Sequence, residues 1–325
     1  MREVVFLRKN EKKWRSIEQL LGGGEMADPD TLADLYIELT DDLAYSQTNY
    51  PGSKTTLYLN GLTADIFQAL YKRKKGNSRR IITFWTEELP YEFYKIRRQF
   101  TYSLAFFAVA VLIGVASTHY DEDFVRTILG DSYVNMTLDN IEKGDPMAVY
   151  KDDGKTLMFL GITINNIKVS FIAFACGIFL SLGTYLILFQ NGVMLGAFQY
   201  FFYQKGVLLT SFLTIWIHGT IEISAIVIAG GAGIVMGNSF LFPGTYKRIH
   251  SLTRGAKKGI KVIVGLVPLF IIAGFLESFV TRHTEWPNAI RLGIILTSLA
   301  FVLFYFAIYP RILYKKMLAQ GDIME

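Results

Sequence analysis

The sequence is poor in the residues and motifs that secreted domains and common enzymes depend on. Its single cysteine, Cys176, lies in an apolar run and has no partner for an internal disulfide. We find no serine–histidine–acid arrangement, no glycine-rich phosphate loop and no nucleotide motif. Tandem repeats and low-complexity tracts are also missing. We therefore expect a non-enzymatic protein with no cofactor and no bound metal.

A cleavable signal peptide is not expected, because residues 1–13 alternate charged and apolar side chains without a long apolar core. Membrane insertion would then begin at an internal segment. The chain is nevertheless 51% hydrophobic, with a mean hydropathy of +0.31. This balance excludes a disordered chain and a simple soluble domain, and it predicts an integral membrane protein.

One stretch, residues 206–237, is apolar enough to enter a bilayer yet carries His218 and Glu222. A spacing of four residues places both side chains on one face of a helix. The same face continues with small residues at every fourth position, which allow another helix to approach closely. These residues, called the small-residue track below, are Ala225, Ala229, Gly233 and Gly237.

The polar pair His218 and Glu222 allows three interpretations, since ionisable groups at membrane depth are costly and usually paired. It could pin two membrane helices together, bind or conduct a proton, an ion or a lipid headgroup, or serve catalysis. A catalytic zinc site usually has three protein ligands and a water molecule, and the pair supplies two. Glu277, in a later apolar run, is a third candidate if its helix packs beside residues 218–222. His283 and Glu285 follow the end of that run and are expected at the surface.

Charged flanks predict the topology through the positive-inside rule. Basic residues before the first span, 101–118, place residues 1–98 in the cytoplasm as a helical domain. Residues 119–166 carry nine acidic and four basic residues and form the predicted outer loop. Residues 243–261 carry six basic residues and no acidic one, so we expect them in the cytoplasm. Residues 99–310 would form the membrane domain, and residues 311–325 a cytoplasmic tail.

The path of residues 191–237 is harder to assign. We expect residues 169–189 to span inward, a helix break at Asn191 and Gly192, and a turn at Gly206. Because broken segments occur at membrane depth only where protein or a cavity surrounds them, one crossing would be irregular or re-entrant. The predicted fold is an all-α polytopic bundle of about six crossings with both termini in the cytoplasm.

Three further features concern partners. The basic run at residues 72–80 lies next to a membrane segment, so we interpret it as a solvated loop and expect no nucleic acid partner. The sequence following Leu89 predicts an interfacial helix that ends the first domain. Small residues on one helix face also suggest a homodimer. Membrane lipid phosphates are the expected contacts of the basic loop residues, which are Lys247, Arg248, Arg254, Lys257 and Lys258.

Several motifs together resemble the stage II sporulation protein M family of bacterial and archaeal membrane proteins. The most specific is HGTIEISAIVIAGGAG, residues 218–233, and a proline that often precedes the histidine is replaced here by Ile217. The weaker motifs are FPG with its basic loop (242–261), PLFIIAGFLESFVT (268–281), DLAYSQTNYP (42–51) and LYLNGL (57–62).

The resemblance implies a multi-pass protein of the bacterial or archaeal cytoplasmic membrane. It also implies a scaffold or assembly factor for cell-envelope proteins, because the family takes its name from a scaffold that recruits cell-wall-degrading enzymes. The alternative is a channel or transporter that uses the polar site at His218 and Glu222.

Overall fold

The computed structural model describes residues 2–22, 29–71, 79–151 and 154–320. Most of the basic run at 72–80 and the last residues of the predicted tail lie outside these ranges. The chain divides into two compact units, Met1–Arg80 and Ile81–Glu325. The predicted interfacial helix therefore belongs to the second unit. The described residues contain helices and no β-strand.

Fourteen α-helices follow one another in the described residues. They are α1 Glu3–Gly22, α2 Pro29–Asn49, α3 Lys54–Tyr71, α4 Arg79–Thr83, α5 Leu89–Lys95, α6 Arg97–Tyr120, α7 Phe124–Leu129, α8 Asp131–Glu142, α9 Lys155–Ala175, α10 Leu182–Gln204, α11 Leu208–Leu241, α12 Arg248–Phe275, α13 Asn288–Leu303 and α14 Tyr309–Ala319. Three π-helical turns join or extend them, at Phe84–Glu88, Leu276–Val280 and Phe304–Ile308.

The first unit is a three-helix domain, α1 to α3, around a small apolar core. Apolar residues at helical spacing turn one side of each helix inward. Trp14 is the largest side chain in this core, and its indole nitrogen donates a 2.8 Å hydrogen bond to Asp42 Oδ2. Gly52, with φ +77°, makes the turn between α2 and α3.

In the second unit, five helical segments are long and apolar enough to cross a membrane. They are Arg97–Tyr120, Thr156–Ile178, Leu208–Leu241, Arg248–Val280 and Asn288–Ala319. In the most apolar window of α11, 83% of the residues are buried, against 17–50% in the other four. The other helices therefore surround α11 and shield it from lipid. Residues 155–166, assigned to the outer loop from sequence, form the first turns of α9.

Helix α10 has 23 residues but is not among these five segments. It runs parallel to α6 and in close contact with it. A Cβ added to Gly192 would meet Ala110, and one added to Gly196 would meet Val111. Tyr200 OH lies 2.5 Å from His119 Nδ1 at the end of the pair. The end of the unit that carries α7 and α8 is called the outer end below.

The helix break predicted at Asn191 and Gly192 is absent, because α10 continues through both residues. Gly192 serves close packing against α6 instead, as glycine often does where lipid supplies no hydrophobic driving force. The chain turns earlier, within the predicted span 169–189. There a 3-10 turn at Cys176–Ile178 is followed by Leu180 and Ser181, both with positive φ.

Aromatic side chains gather at the end of the unit opposite α7 and α8. Helix α5 buries Leu89 and Phe93, and Tyr94 stacks on Tyr314 of α14 at 3.9 Å between ring centroids. Tyr305 OH donates a 2.7 Å hydrogen bond to the carbonyl oxygen of Trp85. Aromatic rings with basic neighbours are typical of the membrane–water interface.

Candidate functional site

The polar centre is assembled from two neighbouring helices. Helix α11 is continuous through Ile217 and presents His218 and Glu222 one turn apart on the same face. Glu277 reaches this face from the π-helical turn that extends α12. Ligand-type atoms of the three side chains all lie within 4.8 Å of one another. The segment that carries Glu277 therefore packs beside residues 218–222, as its role as a third candidate requires.

The imidazole of His218 is held from both sides and is 5% exposed. Its Nδ1 lies 3.0 Å from Thr281 Oγ1, and its Nε2 lies 3.7 Å from Glu277 Oε2. When Nδ1 carries the proton and donates to Thr281, the lone pair of Nε2 is directed toward Glu277. The imidazole thereby offers a nitrogen ligand on the side where both carboxylates lie.

Two residues from other elements complete the surroundings. Asn166 of α9 is buried and faces Glu222, and its amide nitrogen makes no well-formed hydrogen bond in the described chain. The ring of Tyr150, in the segment before α9, lies 5.9 Å from the imidazole of His218. Burial, followed by the charge of Glu277, raises the pKa of the Tyr150 phenol well above its usual value. This phenol is therefore neutral at physiological pH.

A cavity of about 400 Å³ opens beside the polar centre. Polar groups from His218, Glu222, Asn191 and Tyr133 face it, and the rest of its wall is mostly apolar. The wall includes residues of α7 and α8 at the outer end and reaches Ile226 of α11. The cavity thus extends from α7 and α8 to the two ionisable groups of α11. A largely apolar cavity with a few polar groups is the usual form of a ligand site.

The small-residue track lies one to four turns beyond the polar centre along α11, and all four members are buried. A Cβ added to Gly233 would meet Thr184 and would lie 2.7 Å from the carbonyl oxygen of Ala173. One added to Gly237 would meet Ser181. The track therefore packs against α9, the turn after it and α10, all within one chain.

The other residues singled out from sequence lie away from this centre. Gly206, with φ +73°, lies in the short turn between α10 and α11, where a turn was predicted. Arg254 lies over the Tyr246 ring at 4.5 Å. All five basic loop residues lie at the end of the unit opposite α7 and α8, and four of them are exposed. His283 and Glu285 pair with each other at 2.8 Å near the outer end. None of these residues reaches the polar centre.

Asn166 and Thr281 are site neighbours that sequence reasoning did not identify, and Arg291 is a buried charge that it also missed. Asn166 stands inside an apolar run, which is a signal, but residues up to 166 were assigned to the outer loop. Thr281 is the last residue of the motif PLFIIAGFLESFVT and was not singled out. Arg291, which is 8% exposed, contacts Asn288 Oδ1 at 2.6 Å and Thr214 Oγ1 at 3.4 Å. Its position inside an apolar run could have marked it from sequence.

The chain was compared with known families, curated proteins and solved structures. The family model described as Stage II sporulation protein M matches residues 103–282, which include the whole polar centre. The family model described as Domain of unknown function (DUF8413) matches residues 4–72, which correspond to the three-helix domain. No curated protein and no solved structure matches the chain.

Proposed function

The chain belongs to the stage II sporulation protein M family, and we propose that it is a non-enzymatic scaffold or assembly factor for cell-envelope proteins. The observation that supports this proposal is a rigidly held acidic surface at the outer end. Such a surface suits a partner with basic side chains, because complementary charge speeds and orients association.

The outer segment, residues 121–151, is fixed to the membrane domain by an apolar core. Val125, Val134 and Met147 pack in one cluster with Phe201 and Phe202 of α10. Polar contacts within the segment add to this: Arg126 Nη1 donates 3.0 and 2.8 Å hydrogen bonds to Asp131 and Asn135. A surface held in this way can dock a partner without a large ordering cost.

The exposed side of the same segment is mainly acidic. Its exposed basic side chains are Lys143 and Lys151. The exposed carboxylates are Asp121, Glu122, Asp123, Asp131, Asp139 and Glu142. A basic partner surface, rather than an acidic or apolar one, is therefore the best match.

The proposed setting is the cytoplasmic membrane, with both termini in the cytoplasm, six crossings and lipid phosphates at the basic loop of residues 247–258. We also propose a homodimer. The small-residue track is occupied within the chain, so a dimer would use other surfaces.

A photo-crosslinking amino acid at Ser132, next to these carboxylates, tests the scaffold in the full-length protein in its native membrane. The triple variant Glu122→Lys, Asp139→Lys, Glu142→Lys should lose the crosslinked partner while keeping its amount and melting temperature. Lys143→Glu, which makes the surface more acidic, should retain the partner. A crosslink that survives the triple charge reversal would refute docking on this surface.

A channel or transporter is the second candidate, and the cavity of about 400 Å³ beside Glu222 favours it. Purified protein in liposomes would be assayed for movement of protons and divalent cations. Flux that disappears in Glu222→Gln, in a variant that remains folded and monodisperse, would replace the scaffold with this alternative. Absence of flux in the parent would remove the alternative.

A further inference from the structure

We propose that His218, Glu222 and Glu277 bind one divalent transition cation, of the zinc or manganese class, between α11 and the end of α12. This inference reverses the sequence-based expectation of no metal. It concerns the polar centre rather than the acidic outer surface, so it stands or falls separately from the scaffold role.

The three side chains have the separations that a shared ion needs. Bonds of about 2.1 Å place two ligand atoms of a tetrahedral ion about 3.4 Å apart and can never separate them by more than about 4.2 Å. The 3.7 Å between His218 Nε2 and Glu277 Oε2 fits this range. Because all three ligand atoms lie within 4.8 Å of one another, the third needs to move by at most about 1.4 Å to reach the tetrahedral separation. Rotation of a glutamate side chain supplies such a movement.

The imidazole is oriented as metal-bound histidines usually are. In such sites the nitrogen that does not bind the metal donates a hydrogen bond to a neighbouring oxygen, which fixes the tautomer and the ring plane. Thr281 Oγ1, 3.0 Å from His218 Nδ1, fills this role. Thr281 follows Glu277 by four residues, so one short segment supplies both a ligand and the support for another.

Charge in the centre also favours a cation. In the part of the chain that is described, the ion-pair partner of Glu277 is His218, and no lysine or arginine pairs with either glutamate. Arg291 contacts Thr214 and Asn288 instead. Two carboxylates at membrane depth need protons or a positive ion to remain there, and a divalent cation balances both.

Asn166 is the independent observation that points to a ligand. Its side chain is 5% exposed and faces Glu222, and its amide nitrogen makes no well-formed hydrogen bond among the described residues. Buried polar groups in native proteins are nearly always satisfied, often by an ordered water. A water molecule bound to the cation would accept this hydrogen bond.

The ligand set indicates the class of ion and leaves a position open. One imidazole and two carboxylates suit zinc, manganese or iron, whereas calcium and magnesium prefer oxygen alone. Three protein ligands leave at least one coordination position for water or another ligand. His218 and Glu222 also line the cavity that reaches α7 and α8, which provides a route to the site from the outer end.

The test is metal binding by the full-length protein in detergent, with its affinity tag removed. Metal-free protein would be equilibrated with zinc or manganese, dialysed and analysed by mass spectrometry for metal. We expect one ion per chain and a higher melting temperature with metal than without it. Glu222→Gln, Glu277→Gln and His218→Gln should each reduce the bound ion to background.

Two further variants separate a binding site from a purely structural cluster. Thr281→Val should weaken zinc binding about 10- to 100-fold, because it removes the support of the imidazole. His283→Gln changes another histidine near the outer end, one outside the centre, and should leave the stoichiometry unchanged. If the ligand variants do not fold, the parent still decides. The proposal is overturned if the folded, metal-free parent takes up neither zinc nor manganese. It is also overturned if the His283→Gln variant no longer binds the ion.

Discussion

Gly177 and Gly233 approach each other so closely that a Cβ added to Gly177 would lie 2.8 Å from the Gly233 Cα. The contact joins the turn after α9 to the small-residue track of α11. Thr184 Oγ1, which faces Gly233, donates a 2.6 Å hydrogen bond to the carbonyl oxygen of Ala173 across the same turn. Backbone approach, rather than side-chain volume, therefore holds α9, α10 and α11 together here.

Gly233→Leu should destabilise the protein, because the atoms around Gly233 include backbone that cannot move aside. Overpacking of this kind lowers the free energy of unfolding by about 1–3 kcal/mol. Because backbone atoms surround Gly233, we expect a loss at the upper end of this range or above it. Thermal unfolding in detergent and monodispersity on gel filtration measure the effect. Gly293→Leu in α13 is the matched control, since a Cβ there meets nothing within 4 Å. Equal melting of the two variants would contradict the packing described here.

Ser103→Ala should weaken the contact between α6 and α11. Ser103 Oγ donates a 2.6 Å hydrogen bond to the carbonyl oxygen of Val227, and the serine is fully buried. Hydrogen bonds between membrane helices contribute about 0.6 kcal/mol on average and rarely more than about 1.7. We expect a loss of that size in unfolding free energy. Thr101→Ala, whose hydroxyl bonds only to its own helix and is exposed, should show a smaller change.

Cysteine labelling at Lys205 tests whether α10 crosses the membrane. In a Cys176→Ala background, Lys205→Cys should react with an impermeant thiol reagent added outside intact cells. Glu142→Cys should react in the same way, and Lys257→Cys should react only after the membrane is opened. If Lys205→Cys instead reacts only after the membrane is opened, α10 does not cross and the six-crossing topology is wrong.

Asp42→Leu should lower the stability of the three-helix domain and so increase the population of its open form. The change leaves the buried Trp14 indole without its acceptor and removes the 2.5 Å ion pair with Lys13. An unsatisfied buried donor costs about 1–3 kcal/mol. Tryptic cleavage within α1 to α3 should accelerate about tenfold or more, because cleavage follows the population of the open form. Asp41→Leu, the exposed neighbouring position, should cleave like the parent.

The polar centre separates what periodicity can predict from what it cannot. His218 and Glu222 lie four residues apart in an apolar run, and helical geometry alone places them together. Glu277 and Asn166 lie 55 and 56 residues from Glu222 along the chain, so their positions depend on which helices pack together. The boundary at residue 166 hid Asn166, because Asn165, Asn166 and Lys168 interrupt the apolar run of α9.

The prediction of a helix break at Asn191 and Gly192 was wrong, because the chain turns earlier, between α9 and α10. Asn191-Gly192 is a turn signal in proteins surrounded by water, where glycine in a helix exposes backbone and loses entropy. Beside another membrane helix the same glycine is valuable, because it lets α6 come into contact. The turn that the chain makes contains Leu180 and Ser181 at positive φ, and no local sequence pattern predicts it. Contacts such as Ser181 with Gly237 stabilise it from a distance.

By itself, the sequence determined the all-α membrane class, the helical unit before it and the pairing on one face of α11. These follow from local rules, since a backbone in lipid must satisfy its hydrogen bonds within each helix and apolar length reveals a span. Only the tertiary structure decided where the chain turns, which helices share the centre and that Glu277 joins His218 and Glu222. Those outcomes depend on close approach between distant segments, which hydropathy and spacing do not encode.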